Sequence, residues 1–363
     1  MSGVHVLFLK KNPEILPCQE IRMIDTAVLS RRTLMAGAAG LAMAATMRRA
    51  RAAATTINIG YFVETKPTMI AKSQGWFEDA AKAHINWVEV GSGAQINAGV
   101  VAGSLDLGIG IGSSPSAAGI SQGIPYKVVA MLDNIGPAEE MTVRASDNIK
   151  TPADFKGKKI ATPFGSTSHF RLIGFLKTNN LTLSEVTVLD LPPEQIVAAW
   201  KRGDIDAAYV WSPAKAELLA DGGVVYKTYD VLDAKGYVIA DLIVARNGFA
   251  RANPGAVSGI LSAYGRALNF YRTQPDKAAA IVGQAAGVSA EVAAANLREY
   301  DFVPLKTQLT PQWLGTPGHS GAFAAELQHT AQFLVGQKSI RRALGLAAYQ
   351  KGIDTSYLEQ ALA

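Results

Sequence analysis

Cysteine is almost missing: the 363 residues include one, Cys18. The chain therefore forms no internal disulfide, and no site of several thiolates is available for a metal. Histidine is scarce too. His5, His84, His169, His319 and His329 are the five, and none stand at metal-ligand spacing. Ser166, Ser168 and His169 are sequence neighbours without a nucleophile-elbow motif around them, which is not the layout of a triad. These gaps leave no catalytic residue, metal or cofactor to expect, and the chain reads as a non-enzyme. Charge is sparse at 18%, and its net value of +5 is carried entirely by residues 1–52, which hold eight Lys or Arg against three Asp or Glu. A body with no net charge and no basic stripe excludes a nucleic-acid binder. The apolar run from Leu34 to Met47 falls short of the roughly 20 residues that span a bilayer, so no stable membrane insertion is expected.

That run has a context. Ser30-Arg31-Arg32-Thr33-Leu34-Met35 precedes it, and Ala50-Arg51-Ala52 follows as an A-x-A site. A paired-arginine start, an apolar middle and a small-residue end predict an export signal of the twin-arginine kind over residues 1–52, with Met23 as an alternative start. No cysteine follows the run, so no lipid anchor is expected. The mature protein would then be periplasmic and free of cysteine.

What the body has is glycine, 34 residues in the whole chain, and regular α/β alternation. Thr56–Tyr61, Ile85–Val90 and Leu105–Ile111 read as strands, with helices over Pro67–Phe77 and Ala94–Ala102 between them. About 100 residues on, Lys158–Thr162, Val186–Asp190 and Ile205–Trp211 repeat the pattern. Val101-Ala-Gly103-Ser-Leu-Asp106 matches Lys201-Arg-Gly203-Asp-Ile-Asp206, and Ser114-Pro115 matches Ser212-Pro213. The repeat predicts two doubly wound α/β lobes with parallel sheets. Lys127–Leu132 and Met141–Arg144 are expected between the lobes, with Tyr237–Ala245 as the return, forming a two-stranded hinge. Lobe 1 is expected over 53–136 plus 246–363 and lobe 2 over 137–245. Helices beyond Pro254 are expected to pack on lobe 1.

Ligands of such sheets bind past the carboxyl ends of strands. Six segments fall there: Tyr61–Pro67, Gly91–Gln95, Gly112–Pro115, Pro163–His169, Leu191–Glu194 and Trp211–Pro213. Several are Gly/Ser/Thr-rich and open onto helices, whose N-terminal N–H groups and dipole hold an anion without a formal cation. Loops around Ser113-Ser114 and Ser166-Thr167-Ser168, one from each lobe, suit one tetrahedral oxyanion; each serine would otherwise be an ordinary cap. Asp241, inside an apolar run, needs a partner, either a ligand ammonium or a lysine or arginine of the chain. Glu139 is a second carboxylate for an ammonium, or a solvated loop residue. Trp211 and Tyr61 are cleft walls or core. His169 is an anion donor or a cap.

Gly112-Ser-Ser-Pro115, Pro163-Phe-Gly-Ser-Thr-Ser-His169, Ala198–Pro213 and Ala331-Gln-Phe-Leu334 together resemble the taurine-binding proteins of ABC importers, grouped with aliphatic sulfonate and nitrate binders. The resemblance runs from Ile57 to the C-terminus and is most specific over Leu191–Pro213. It implies a type II periplasmic-binding-protein fold, a monomer that hands a small sulfonate to a membrane permease and its ATPase, or else a ligand sensor. It also implies a sulfonate held by amides and hydroxyls and an amine held by carboxylates. By position, that points to Ser113, Ser114, Ser166, Thr167, His169, Trp211, Glu139 and Asp241, with Glu64 and Tyr61 in the first loop. Lys66 stands where the family tends to have glutamate. A lysine in the cleft would imply a ligand without an amine.

Overall fold

The computed structural model describes residues 56–363; the export signal expected over residues 1–52 lies outside the described residues. Two five-stranded sheets organise the body. The first is built from β1 (Thr56–Tyr61), β2 (His84–Glu89), β3 (Leu107–Gly112) and β4 (Tyr126–Asn134). The second holds β5 (Glu140–Arg144), β6 (Lys159–Thr162), β7 (Thr187–Asp190), β8 (Ala207–Val210) and β9 (Gly223–Tyr226). β10 (Ala240–Arg246) returns to the first sheet, between β3 and β4.

The two orders are β2-β1-β3-β10-β4 and β7-β6-β8-β5-β9. In each, three parallel strands are followed by an antiparallel one, β10 in the first and β5 in the second. The repeat seen in sequence thus has matching topology, and its side chains match as well. Asp106 Oδ2 accepts the Asn58 N–H at 3.0 Å, and Asp206 Oδ2 accepts the Lys159 N–H at 2.7 Å. Each aspartate ties the start of its sheet's third strand to the first. The glycines three residues earlier, Gly103 (φ 71°) and Gly203 (φ 78°), end the preceding helices in the left-handed conformation that a side chain disfavours.

Three details differ from the sequence expectation. The helix over Pro67–Phe77 is two helices, Thr68–Ser73 and Trp76–Ala81, broken at Gly75 (φ 66°). The segments Lys127–Leu132 and Met141–Arg144 are not themselves the hinge: β4 and β5 are members of the two sheets. The return strand likewise lies inside the first sheet, so residues 240–245 sit with the first half and not the second. The chain passes between sheets through the short links 135–139 and 227–239. All three segments are apolar because they are sheet interiors, and that property does not distinguish a hinge from a buried strand.

The helices that face the cleft are α1 (Gly93–Ala102), α2 (Ser113–Gln122), α3 (Thr167–Thr178) and α4 (Pro193–Arg202). Against opposite faces of the first sheet lie α5 (Pro254–Thr273) and α6 (Phe323–Gly336). α5 packs on Trp76–Ala81 and α6 on α2, as expected of the C-terminal helices. The halves also touch. Phe333 of α6 meets Phe170 of α3 edge-on at 4.8 Å. Lys215, buried on the helix Ala214–Ala220, donates to the Glu299 carboxylate (2.8 Å) and to the Pro137 carbonyl (3.2 Å). Among the described residues no single helix is long and apolar enough to cross a membrane.

Candidate ligand-binding cleft

The strand ends named from sequence converge. A narrow cavity of about 20 Å³ lies between the sheets. From the first half it is lined by Phe62, Glu64, Gly93, Gly110, Gly112, Pro115 and Asp241; Ser166, Thr167 and Trp211 come from the second, and Glu139 from the link. Five of the six predicted loops contribute. The exception is Leu191–Glu194, which lies further out.

Two helix starts face each other here. α2 begins at Gly112, which has no side chain to cap it. α3 begins at Ser166, whose hydroxyl accepts the His169 N–H at 3.1 Å, a cap worth about 1 kcal/mol. The approach is close: a Cβ placed on Gly112 would lie 2.7 Å from Thr167 Cγ2. Both helix N-termini direct their partial positive charge at one spot.

Beneath the helix ends the cavity floor is charged. Lys66 is buried (1% exposed), and its ammonium hydrogen-bonds Asp241. It also lies 3.2 Å from Asp133 and 3.3 Å from Glu64, and 4.5 Å above the Tyr300 ring. Burial opposes a charge on Lys66, but the carboxylates of Asp133, Asp241 and Glu64 outweigh it and hold its pKa well above the ordinary value. One cation faces too many anions. Burial, with help from the neighbouring Asp241, pushes Glu64 up to about 8 and Glu139 up to about 7. Burial likewise raises Asp133 and Asp241, against the pull of Lys66. Protons therefore balance part of the charge.

Several residues have other partners than those expected. Asp241 is held by a lysine of the chain, the alternative to a ligand ammonium. Thr167 and Ser168 do not offer free hydroxyls; both donate to Glu139, at 2.8 Å each. Glu139 is buried and not a solvated loop residue. The Ser113 hydroxyl accepts the Ala240 N–H at 3.3 Å. Ser166 is a cap, and it also donates to the Pro163 carbonyl. Ser114 is buried with no hydrogen-bond partner for its hydroxyl among the described residues. His169 lies off the cavity: its ring stacks on Phe164 at 4.4 Å and Nδ1 accepts the Gly165 N–H. Burial lowers its pKa, which disfavours the cationic form needed of an anion donor. Tyr61 is turned away as well, packed edge-on against Trp87 at 5.4 Å.

Sequence reasoning missed Phe62, Asp133 and Tyr300. Asp133 carried a readable signal, a carboxylate at the end of an apolar strand run. Phe62 and Tyr300 had none beyond position. Among the described residues no group of three or more His, Cys, Asp or Glu side chains is arranged to hold a metal ion.

A family profile described as NMT1/THI5 like matches residues 63–278. The chain belongs to that family. The taurine-binding periplasmic protein of Escherichia coli is 32% identical over 317 residues, covering 86% of this chain and 94% of its own length. A putative aliphatic sulfonates-binding protein of Bacillus subtilis is 28% identical, over 61% of this chain and 67% of its own. Among solved structures, the periplasmic aliphatic sulphonate binding protein of Escherichia coli superposes with a TM-score of 0.66 at 26% identity, covering 81% of this chain and 91% of that one. The two-sheet architecture is that of type II periplasmic binding proteins, two lobes joined by two links.

Proposed function

We propose that this chain is the periplasmic substrate-binding protein of an ABC importer, and that it captures a small organic sulfonate. The meeting of two helix N-termini from opposite sheets around one cavity is the observation that carries the reading. A sulfonate stays ionised at any ordinary pH, so N–H donors and helix dipoles suffice to hold it. The taurine and sulfonate binders among the relatives support the same ligand class. We further propose lobes near 53–136 plus 246–363 and 137–245, adjusted so that β10 counts with the first. Export through the twin-arginine leader, a monomeric state and delivery to a permease with its ATPase belong to the same reading.

The site residues proposed are Gly112, Ser113 and Ser114 at one helix start, and Ser166 and Thr167 at the other. Trp211 and Phe62 are the walls, and Glu64, Glu139 and Asp241 the acidic floor. A cavity of about 20 Å³ holds roughly one water. The ligand therefore enters by parting the lobes and is enclosed on closure, and exclusion of water strengthens each charged hydrogen bond. A binding role with no chemical step is the reading that the binding-protein names of the relatives support. The acidic floor favours taurine, whose ammonium would replace protons on Glu64 and Glu139. Lys66 competes for the same carboxylates, so isethionate, its hydroxyl analogue, is the informative comparison.

Titration calorimetry with taurine, isethionate, ethanesulfonate, sulfate and nitrate tests the proposal. A micromolar constant, about −8 kcal/mol, is expected for at least one sulfonate. Heat from nitrate or sulfate alone would overturn the ligand class.

A further inference from the structure

Away from the ligand cavity, one ion pair joins the two halves. Lys215 lies on the helix Ala214–Ala220 of the second half, one turn beyond the cleft wall: its N–H donates to the Trp211 carbonyl at 3.0 Å. Its ammonium is buried and donates to the Glu299 carboxylate at 2.8 Å and to the Pro137 carbonyl, on the link 135–139, at 3.2 Å. Glu299 is fixed to the first half. Two residues on, Asp301 exchanges both backbone hydrogen bonds with Asn134, the last residue of β4, at 3.1 and 2.9 Å. Between them, the Tyr300 ring lies 4.5 Å from the Lys66 ammonium of the cavity floor. Three consecutive residues thus grip the second half, the floor and the end of β4. When the halves part, Glu299 stays with β4 while Lys215 leaves with Trp211.

Resting on the reading of the cleft as a clamp that opens and closes, we propose that the Lys215–Glu299 pair is a closure latch, a contact that positions the second half over the first and sets how long a bound ligand stays. Neither residue lines the ligand cavity, so the latch acts without touching the ligand. Loss of either charge leaves the other without its partner in the closed form, and the population shifts toward the open one. A ligand enters the open form, so the latch slows release and leaves entry alone.

Spin labels on Ala94→Cys and Gln195→Cys, exposed positions at the starts of α1 and α4, report the distance between the halves. The full chain carries Cys18→Ser, so that only these two sites are labelled. Without ligand, Glu299→Gln should raise the share of the longer, open distance about three- to tenfold, between what an exposed and a fully buried pair contribute. Lys215→Met should do the same, should Glu299→Gln fold poorly. In stopped-flow measurements, release of taurine should quicken by the same factor, with association changed by less than about twofold. Unchanged distances in both variants would overturn the latch. So would a longer distance with unchanged release, or a loss of folding stability with neither readout moved, since the pair would then be an ordinary structural contact. If no sulfonate binds, the ligand class falls, and the label distances in the ligand-free chain still decide the latch.

Discussion

The two halves of the cleft reach the same point with opposite chemistry. The first half brings ions: Glu64, Lys66, Asp133 and Asp241, with Tyr300 against the lysine. The second brings neutral groups, the start of α3 with Ser166, Thr167 and Ser168, and Trp211. Glu139, on the link between them, accepts from the Thr167 and Ser168 hydroxyls of the second half. Matched topology has thus been given unmatched side chains. A charged floor costs stability unless its charges pair, whereas a hydroxyl-lined helix start is nearly free. The first half should therefore respond to mutation in stability, and the second in binding.

The sharpest break of that contrast is Lys66→Met. It removes the one ammonium facing Asp133, Asp241 and Glu64, leaving buried carboxylates unpaired. A loss of about 3–5 kcal/mol at pH 7.5 is expected in chemical denaturation. Adding Asp241→Asn and Asp133→Asn should restore much of it. A loss under about 1 kcal/mol would mean that protons alone already neutralise the floor.

Proton balance gives the second test. Glu64, at about 8 in the fold, stays protonated in a range where the unfolded chain, near 4.5, has lost its proton; Glu139 behaves similarly up to about 7. The folded state then binds more protons than the unfolded one between pH 4.5 and 8, so stability falls as pH rises through that window. Without ligand, Tm should decline from pH 5 to 8.5, and Glu64→Gln should flatten the decline. A rising Tm would show the carboxylates to be ionised and well paired.

The same contrast explains what could be read in advance. Topology was legible because alternating strands and helices, the paired Gly-x-x-Asp ends and their 100-residue spacing are local patterns. The helix starts were legible for the same reason, since Gly112-Ser-Ser-Pro115 and Gly165-Ser-Thr-Ser168 mark themselves. The floor was not. Lys66, Asp133 and Asp241 are 67 and 108 residues apart along the chain, and their pairing exists only once β4 and β10 lie side by side. Lys66 was noted as a departure and Asp241 as a carboxylate in need of a partner, but nothing local joined them. His169 and Tyr61 failed in the opposite way. Their positions at strand ends were right, yet side-chain direction depends on neighbours, Phe164 and Trp87, that position alone does not reveal.

Gly112→Ala makes the smallest and most pointed change, because it touches the seam between the halves and neither half alone. The backbone there has φ −63°, which alanine accepts without strain. Within its own half the added methyl makes an ordinary contact with Pro115 Cδ at 3.5 Å; across the cleft it meets Thr167, at 2.7 Å from its Cγ2, and Thr167 is held in place by Glu139. Each half can keep its own fold if the two stand apart by a few tenths of an ångström. Folding stability should therefore change by less than about 1 kcal/mol. Closure is what suffers, since both helix starts can no longer reach one headgroup at full contact. Ligand affinity should fall about three- to tenfold, roughly 0.7–1.4 kcal/mol, measured by calorimetry beside a denaturation curve. A large stability loss with unchanged affinity would place this contact in the permanent core, and the helix starts would then not act as two jaws.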